Sequence, residues 1–156
     1  MTLFRPNDSN SNTYARFPTN IRTNILSLTS SNYNASTNVL TSNLAGSVLG
    51  YRIESISVTN DDTKDNNLLF YLQEVSSPNL STLPIAFCSI TAGSGTDYSD
   101  YPTTVLSSTA FSSFTLTDNN GNLYLPMDLN YKLIVKSQLA PSTAKTIQIY
   151  TTISDY

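Results

Sequence analysis

The chain of 156 residues contains no histidine and no tryptophan, and only one cysteine, Cys88. Without histidine the commonest general base, metal ligand and triad partner is missing. That excludes Ser-His-Asp and Cys-His catalysis and zinc sites built on histidine. A lone cysteine excludes an intramolecular disulfide. It sits in the apolar run Pro84-Ile85-Ala86-Phe87-Cys88 with no cation nearby in sequence, so it reads as a small core residue rather than a reactive thiol. Charge is scarce as well, at 12% of residues. No apolar run approaches the roughly 18 residues of a membrane span, and Met1 to Asp8 lacks the apolar stretch of a signal peptide. The expectation is a soluble protein made without export, with no membrane partner.

The remaining routes to chemistry are thin. Thr91-Ala92-Gly93-Ser94-Gly95-Thr96 lacks the Lys-Ser/Thr that completes a phosphate loop and reads as a plain loop. Glycoside hydrolysis needs only two carboxyl groups, but Glu54, Glu74, Asp97, Asp100 and Asp128 are scattered, with no spacing that pairs any two. Asn60-Asp61-Asp62-Thr63-Lys64-Asp65 offers oxygens to calcium but lacks the EF-hand ligand order and its glycine, so a solvated turn is the plainer reading. The sequons Asn34-Ala35-Ser36 and Asn79-Leu80-Ser81 carry no weight without a secretion signal. A net charge of −3 disfavours nucleic acid, because phosphate neutralisation needs clustered Lys and Arg. No enzyme, cofactor or metal is expected.

A chain of this length forms one domain with an adequate core, divided here into an arm, residues 1–24, and a body, residues 25–156. The arm has two prolines, an Asn/Ser/Thr-rich stretch and no apolar period, which reads as extended chain. Arg5, Arg16 and Arg22 against Asp8 make it net +2, and the body is net −5. Phe4, Tyr14 and Phe17 either tuck onto their own domain or anchor the arm on a neighbour.

From about residue 25 the pattern is strands and turns, with nothing helical. Tyr131 to Ser137 alternates, with Ile134 the lapse. Thr146 to Ile153 puts Ile147, Ile149 and Ile153 on one face. In Tyr51 to Thr59 the apolar positions slip from 51 and 53 to 56 and 58, as a β-bulge requires. Leu68 to Leu72 is apolar throughout, buried on both faces or at a subunit contact. Further strands are expected at Ile25 to Thr29, Val39 to Ala45, Ile85 to Thr91, Thr103 to Ser107, Phe114 to Thr117 and Leu123 to Leu125, with an Asn120-Gly121 hairpin before the last. The count is about nine strands with Ile25 to Thr29 as an extra, which, allowing for one or two misassigned, fits an all-β fold, a jelly roll or an immunoglobulin-like sandwich. The absence of Trp and of a cysteine pair disfavours a true immunoglobulin domain, so the expectation is a single jelly-roll-like β-sandwich of about eight antiparallel strands.

Tyrosine supplies ten of the sixteen aromatic residues and combines contact area with a polar tip. Asp97, Tyr98, Asp100 and Tyr101 form a loop cluster that reads as a surface recognition site, although tyrosines also commonly line sandwich edges.

Three segments in order, Gly50-Tyr51-Arg52-Ile53-Glu54-Ser55-Ile56-Ser57-Val58, Leu68-Leu69-Phe70-Tyr71-Leu72 and Leu125-Pro126-Met127-Asp128-Leu129-Asn130-Tyr131-Lys132-Leu133-Ile134, resemble small structural proteins of tailed bacteriophages that decorate or cement the capsid. The chain departs from their pattern at Leu129-Asn130, where glycine is usual before the tyrosine, and in a longer middle from Ser76 to Ser113. The resemblance implies a jelly roll, a homotrimer seated on the major capsid protein at the virion surface, made in the host cytoplasm. On that reading Phe4, Arg5, Tyr14, Arg16, Phe17 and Arg22 bind the capsid, with avidity from the copies. The alternative is a jelly-roll module of a fibre, tail or penton that contacts host glycans through the Asp97 to Tyr101 loop.

Overall fold

The structure is a computed structural model and describes residues 2–4, 15–16, 18, 20–42, 50–77, 79–81, 83–96, 101–106 and 109–156. The described residues form twelve strands and no helix: β1 (Thr2–Phe4), β2 (Ala15–Arg16), β3 (Asn20–Leu28), β4 (Val39–Thr41), β5 (Tyr51–Asn60), β6 (Asn66–Glu74), β7 (Ala86–Ile90), β8 (Thr103–Thr104), β9 (Leu116–Thr117), β10 (Leu123–Met127), β11 (Tyr131–Ser137) and β12 (Ile147–Asp155). All pairings are antiparallel. One sheet has the order β3-β12-β5-β10-β9, with β8 also on β5; the second has the order β4-β11-β6-β7; β1 and β2 pair with each other.

Two sheets arise because β5, β6, β11 and β12 carry apolar side chains at alternate buried positions and must cover that face. In β12, Ile147, Ile149 and Ile153 are buried, and they join Leu28, Val58, Leu68, Phe70, Leu133 and Val135 in one core between the sheets. Nine residues of β12 are in register with β3 on one side, while on the other side β5 carries the expected bulge. Ile153 pairs with Ile53 and Thr152 with Ser55, leaving Glu54 as the extra residue. That insertion moves the buried positions from Tyr51 and Ile53 to Ile56 and Val58, because side chains alternate with period two.

The Asp118 to Asn122 hairpin also forms, joining β9 to β10. Gly121 has φ +86°, and the Asp118 carboxylate accepts the amides of Asn120 and Asn122 at 2.8 and 2.9 Å. This is the glycine-terminated turn that suits the twist of the strands.

Elsewhere the structure differs from expectation. The two sheets hold ten strands, as many as the segments named from the sequence, but their lengths differ. The strands near residues 39, 103 and 114 are short, and 43–49 and 107–108 lie outside the described residues. Leu68 to Leu72 is not buried on both faces. Leu68 and Phe70 are, but Leu69 and Tyr71 are half-buried on the outer side. Cys88 is half-buried and packs at the margin of the core, where burial raises its thiol pKa. Phe111, in the turn after β8, reaches the core and meets Phe70 edge-on at 5.1 Å between ring centroids.

Candidate functional site

The expected site residues other than Arg22 fall into three groups. Arg5, Tyr14, Phe17, Asp97, Tyr98 and Asp100 lie outside the described residues. Phe4 and Arg16 belong to the β1–β2 ladder, in which Phe4 pairs with Ala15 and Thr2 with Arg16. Tyr101 is 83% exposed.

Arg22 is placed within β3, opposite Ile153, so the division after residue 24 falls inside a strand. Its guanidinium grips Asp155 with two bonds, Nε to Oδ2 at 2.9 Å and Nη2 to Oδ1 at 3.1 Å. Nη2 also donates to the Ser42 carbonyl. Two residues on, Asn24 Nδ2 donates to the Leu40 carbonyl at 2.6 Å. Arg22 and Asn24 point the same way from β3, as i and i+2 must, and together they satisfy a carbonyl of β4 and that of the residue just after it, across the sandwich. The pair is a latch at the sandwich edge. With Arg22 neutralised by Asp155, the residues before β3 keep Arg5 and Arg16 against Asp8, a net +1.

The aspartate-rich turn is also structural. Asp62 accepts the Ser142 amide at 2.6 Å and its neighbour Thr63 at 2.7 Å, Asp61 accepts the Thr146 amide, and Asp65 accepts Ala92. These carboxylates tie loops at one end of the sandwich. Hydrogen bonding from the Ser142 backbone holds the Asp62 carboxyl below its ordinary range. Among the described residues no group of three or more His, Cys, Asp or Glu could hold a metal ion.

Two surfaces have the character of contact sites. On the outer face of the four-stranded sheet, Phe87 is 52% exposed and lies in register with Leu69, which faces Lys136 on the next strand. The adjacent row pairs Tyr71 with Ile134, and the next pairs Gln73 with Lys132, but Ile134 and Gln73 are buried. The Lys136 Nζ stands 5.6 Å from the Tyr71 ring centroid. Leu83, just before β7, is 74% exposed, and a groove of about 590 Å³ follows β7 from Pro84 to Ser89, with Thr109 and Ala110 as its other wall. The exposed apolar area is thus concentrated at β7, a patch of the kind that contact sites cover.

The second surface lies on the six-stranded sheet, where β5 begins and β10 ends. Arg52 lies over two rings there, 4.7 Å from the centroid of Tyr124 and 5.0 Å from that of Tyr156. Its Nε donates to Glu54 Oε1 at 2.8 Å. Gly50 permits the close approach of these strands: its φ is +97°, and a Cβ on it would fall 2.5 Å from the Met127 carbonyl oxygen. Burial raises the Tyr156 phenol pKa. Sequence reasoning passes over this cluster because Arg52 and Tyr124 are distant in the chain. The available signal is the i, i+2 spacing of Arg52 and Glu54 on one strand face.

No protein-family model, no curated protein and no solved structure matches the chain.

Proposed function

We propose that this protein is a structural component of a virus particle, a decoration or cement subunit whose four-stranded sheet packs on the outer capsid. The observation that carries the reading is the apolar β7 side of that sheet's outer face, with Phe87 exposed beside half-buried Leu69 and Tyr71 and Leu83 exposed just before the strand. A free chain that leaves large apolar groups in water on one sheet face gains by covering them. Lys132 and Lys136 on the same face suit an acidic partner such as a capsid surface.

The strand order supports the finer reading of the sandwich as a jelly roll. Strands β3-β12-β5-β10 oppose β4-β11-β6-β7, so the chain crosses between sheets from β3 to β4, β4 to β5 and β5 to β6, from β7 to β8, and again from β10 to β11 and β11 to β12. That wrapping characterises jelly rolls, a fold used by capsid and lectin domains, although fold alone does not carry function. The first and third segments of the phage resemblance are neighbours here, Arg52 pairing with Pro126 and Tyr51 with Met127. In this reading the N-terminal segment adds contacts, and the assembled unit is a homotrimer on the major capsid protein.

The test is cosedimentation with particles that lack the protein. Wild-type chain is expected to bind stoichiometrically, Phe87→Asp with Leu83→Asp to lose most binding, and deletion of residues 2–18, which spares β3, to weaken it. Wild-type protein that stays in the supernatant overturns the proposal.

A further inference from the structure

We infer that the depression where β5 begins and β10 ends is a binding site for a neutral saccharide, with Arg52 and Asp128 as its hydrogen-bonding groups and the rings of Tyr124 and Tyr156 as its walls. The argument starts from the guanidinium. Held between two rings and fixed by Glu54 through Nε, Arg52 presents a rigid planar fork. Its two η nitrogens make no hydrogen bond to any described residue, and its side chain is 30% exposed. It is therefore a pre-oriented donor facing solvent, in a depression of about 470 Å³, within the size range of small-ligand clefts.

The same depression is lined by Asp128. Its Oδ1 is occupied by the backbone and side-chain amides of Asn130, both at 2.8 Å, which fixes the carboxylate and leaves Oδ2 open to a ligand. A rigid donor, a rigid acceptor and aromatic walls suit a molecule whose hydroxyls both donate and accept and whose C–H faces pack on rings. Charge selects among such molecules. Glu54 offsets Arg52, and Asp128 adds a further negative charge, so sialylated or sulfated ligands are disfavoured and neutral ones preferred. The depression belongs to the six-stranded sheet, opposite the face proposed to meet the capsid, so both can be occupied together.

The test uses the full chain on an array of neutral oligosaccharides built from hexoses, N-acetylhexosamines and deoxyhexoses, with sialylated and sulfated counterparts, followed by saturation-transfer NMR with the best neutral binder. Neutral binding is expected, weakened about tenfold or more by Asp128→Asn, which replaces a charged acceptor by a donor, and by Arg52→Lys, which keeps the charge but loses the planar two-nitrogen fork held over the rings. Asp128 is exposed, and asparagine can still accept the Asn130 amides, so Asp128→Asn should melt with the wild type. No neutral signal, a preference for anionic glycans, or binding unchanged in both variants overturns the inference. Particle cosedimentation of Asp128→Asn should match wild type, so failure here and failure of the capsid reading are separately visible.

Discussion

Replacing Arg22 with methionine keeps the aliphatic stem in β3 and removes the cation that holds Asp155. The Asp155 side chain is 1% exposed and that of Arg22 is 24% exposed, so the aspartate is left buried with two hydrogen bonds lost, and the Ser42 carbonyl loses its donor. Breaking a buried pair from one side costs about 3–5 kcal/mol. The partial exposure of Arg22 puts this case at the low end, about 3 kcal/mol. For a domain of this size that lowers Tm by about 6–12 °C. Urea unfolding followed by near-ultraviolet circular dichroism, which the tyrosines supply, should show a lower midpoint at unchanged slope. Adding Asp155→Leu to Arg22→Met should recover part of the loss, because a matched apolar pair leaves no buried charge. Arg22→Met within about 0.5 kcal/mol of wild type would refute the latch, and Arg22 would then be free to serve as a capsid contact.

Other expectations follow from single residues. The Thr151 hydroxyl is buried with no hydrogen-bond partner among the described residues, so Thr151→Val should raise stability by up to about 1 kcal/mol in the same urea assay; a loss would mean that the hydroxyl is satisfied. Gly50→Ala should cost about 3 kcal/mol, because positive φ and the Met127 carbonyl both oppose a Cβ. Gly121→Ala, with positive φ but no described non-neighbouring residue within 4 Å of the added Cβ, should cost only about 1 kcal/mol, and equal losses would contradict the close approach at Gly50. Asp62 has a folded-state pKa below its unfolded value of about 3.9. Its contribution is therefore complete above about pH 4 and disappears as pH falls through the folded value. The gap in urea midpoint between wild type and Asp62→Asn should close on acidification, and a gap constant from pH 7 to pH 2 would rule this out.

What the sequence discloses and what it conceals divide along the distance over which each feature is determined. The alternation of β12, the slip in β5 and the Gly121 turn are written in neighbouring residues, because strand period and turn geometry are local. Arg22 looks like an arm residue since its partner is 133 positions away. Phe111 looks like a loop residue because a turn, which has no period, delivers it to Phe70. The outer face of β6 reads as buried because an apolar run does not record which of its faces another element covers. The cluster around Arg52 escapes for the same reason as Arg22: Tyr124 and Tyr156 reach it through sheet pairing across β10 and β12.

Electron cryomicroscopy of particles lacking the protein, saturated with purified wild-type chain, tests the capsid reading most directly. The prediction is ordered density on the outer capsid in which the sheet bearing Phe87 and Lys136 faces the shell and the sheet bearing Arg52 faces outward. Bare capsids at saturating protein, or density in which Phe87 points to solvent, would contradict it.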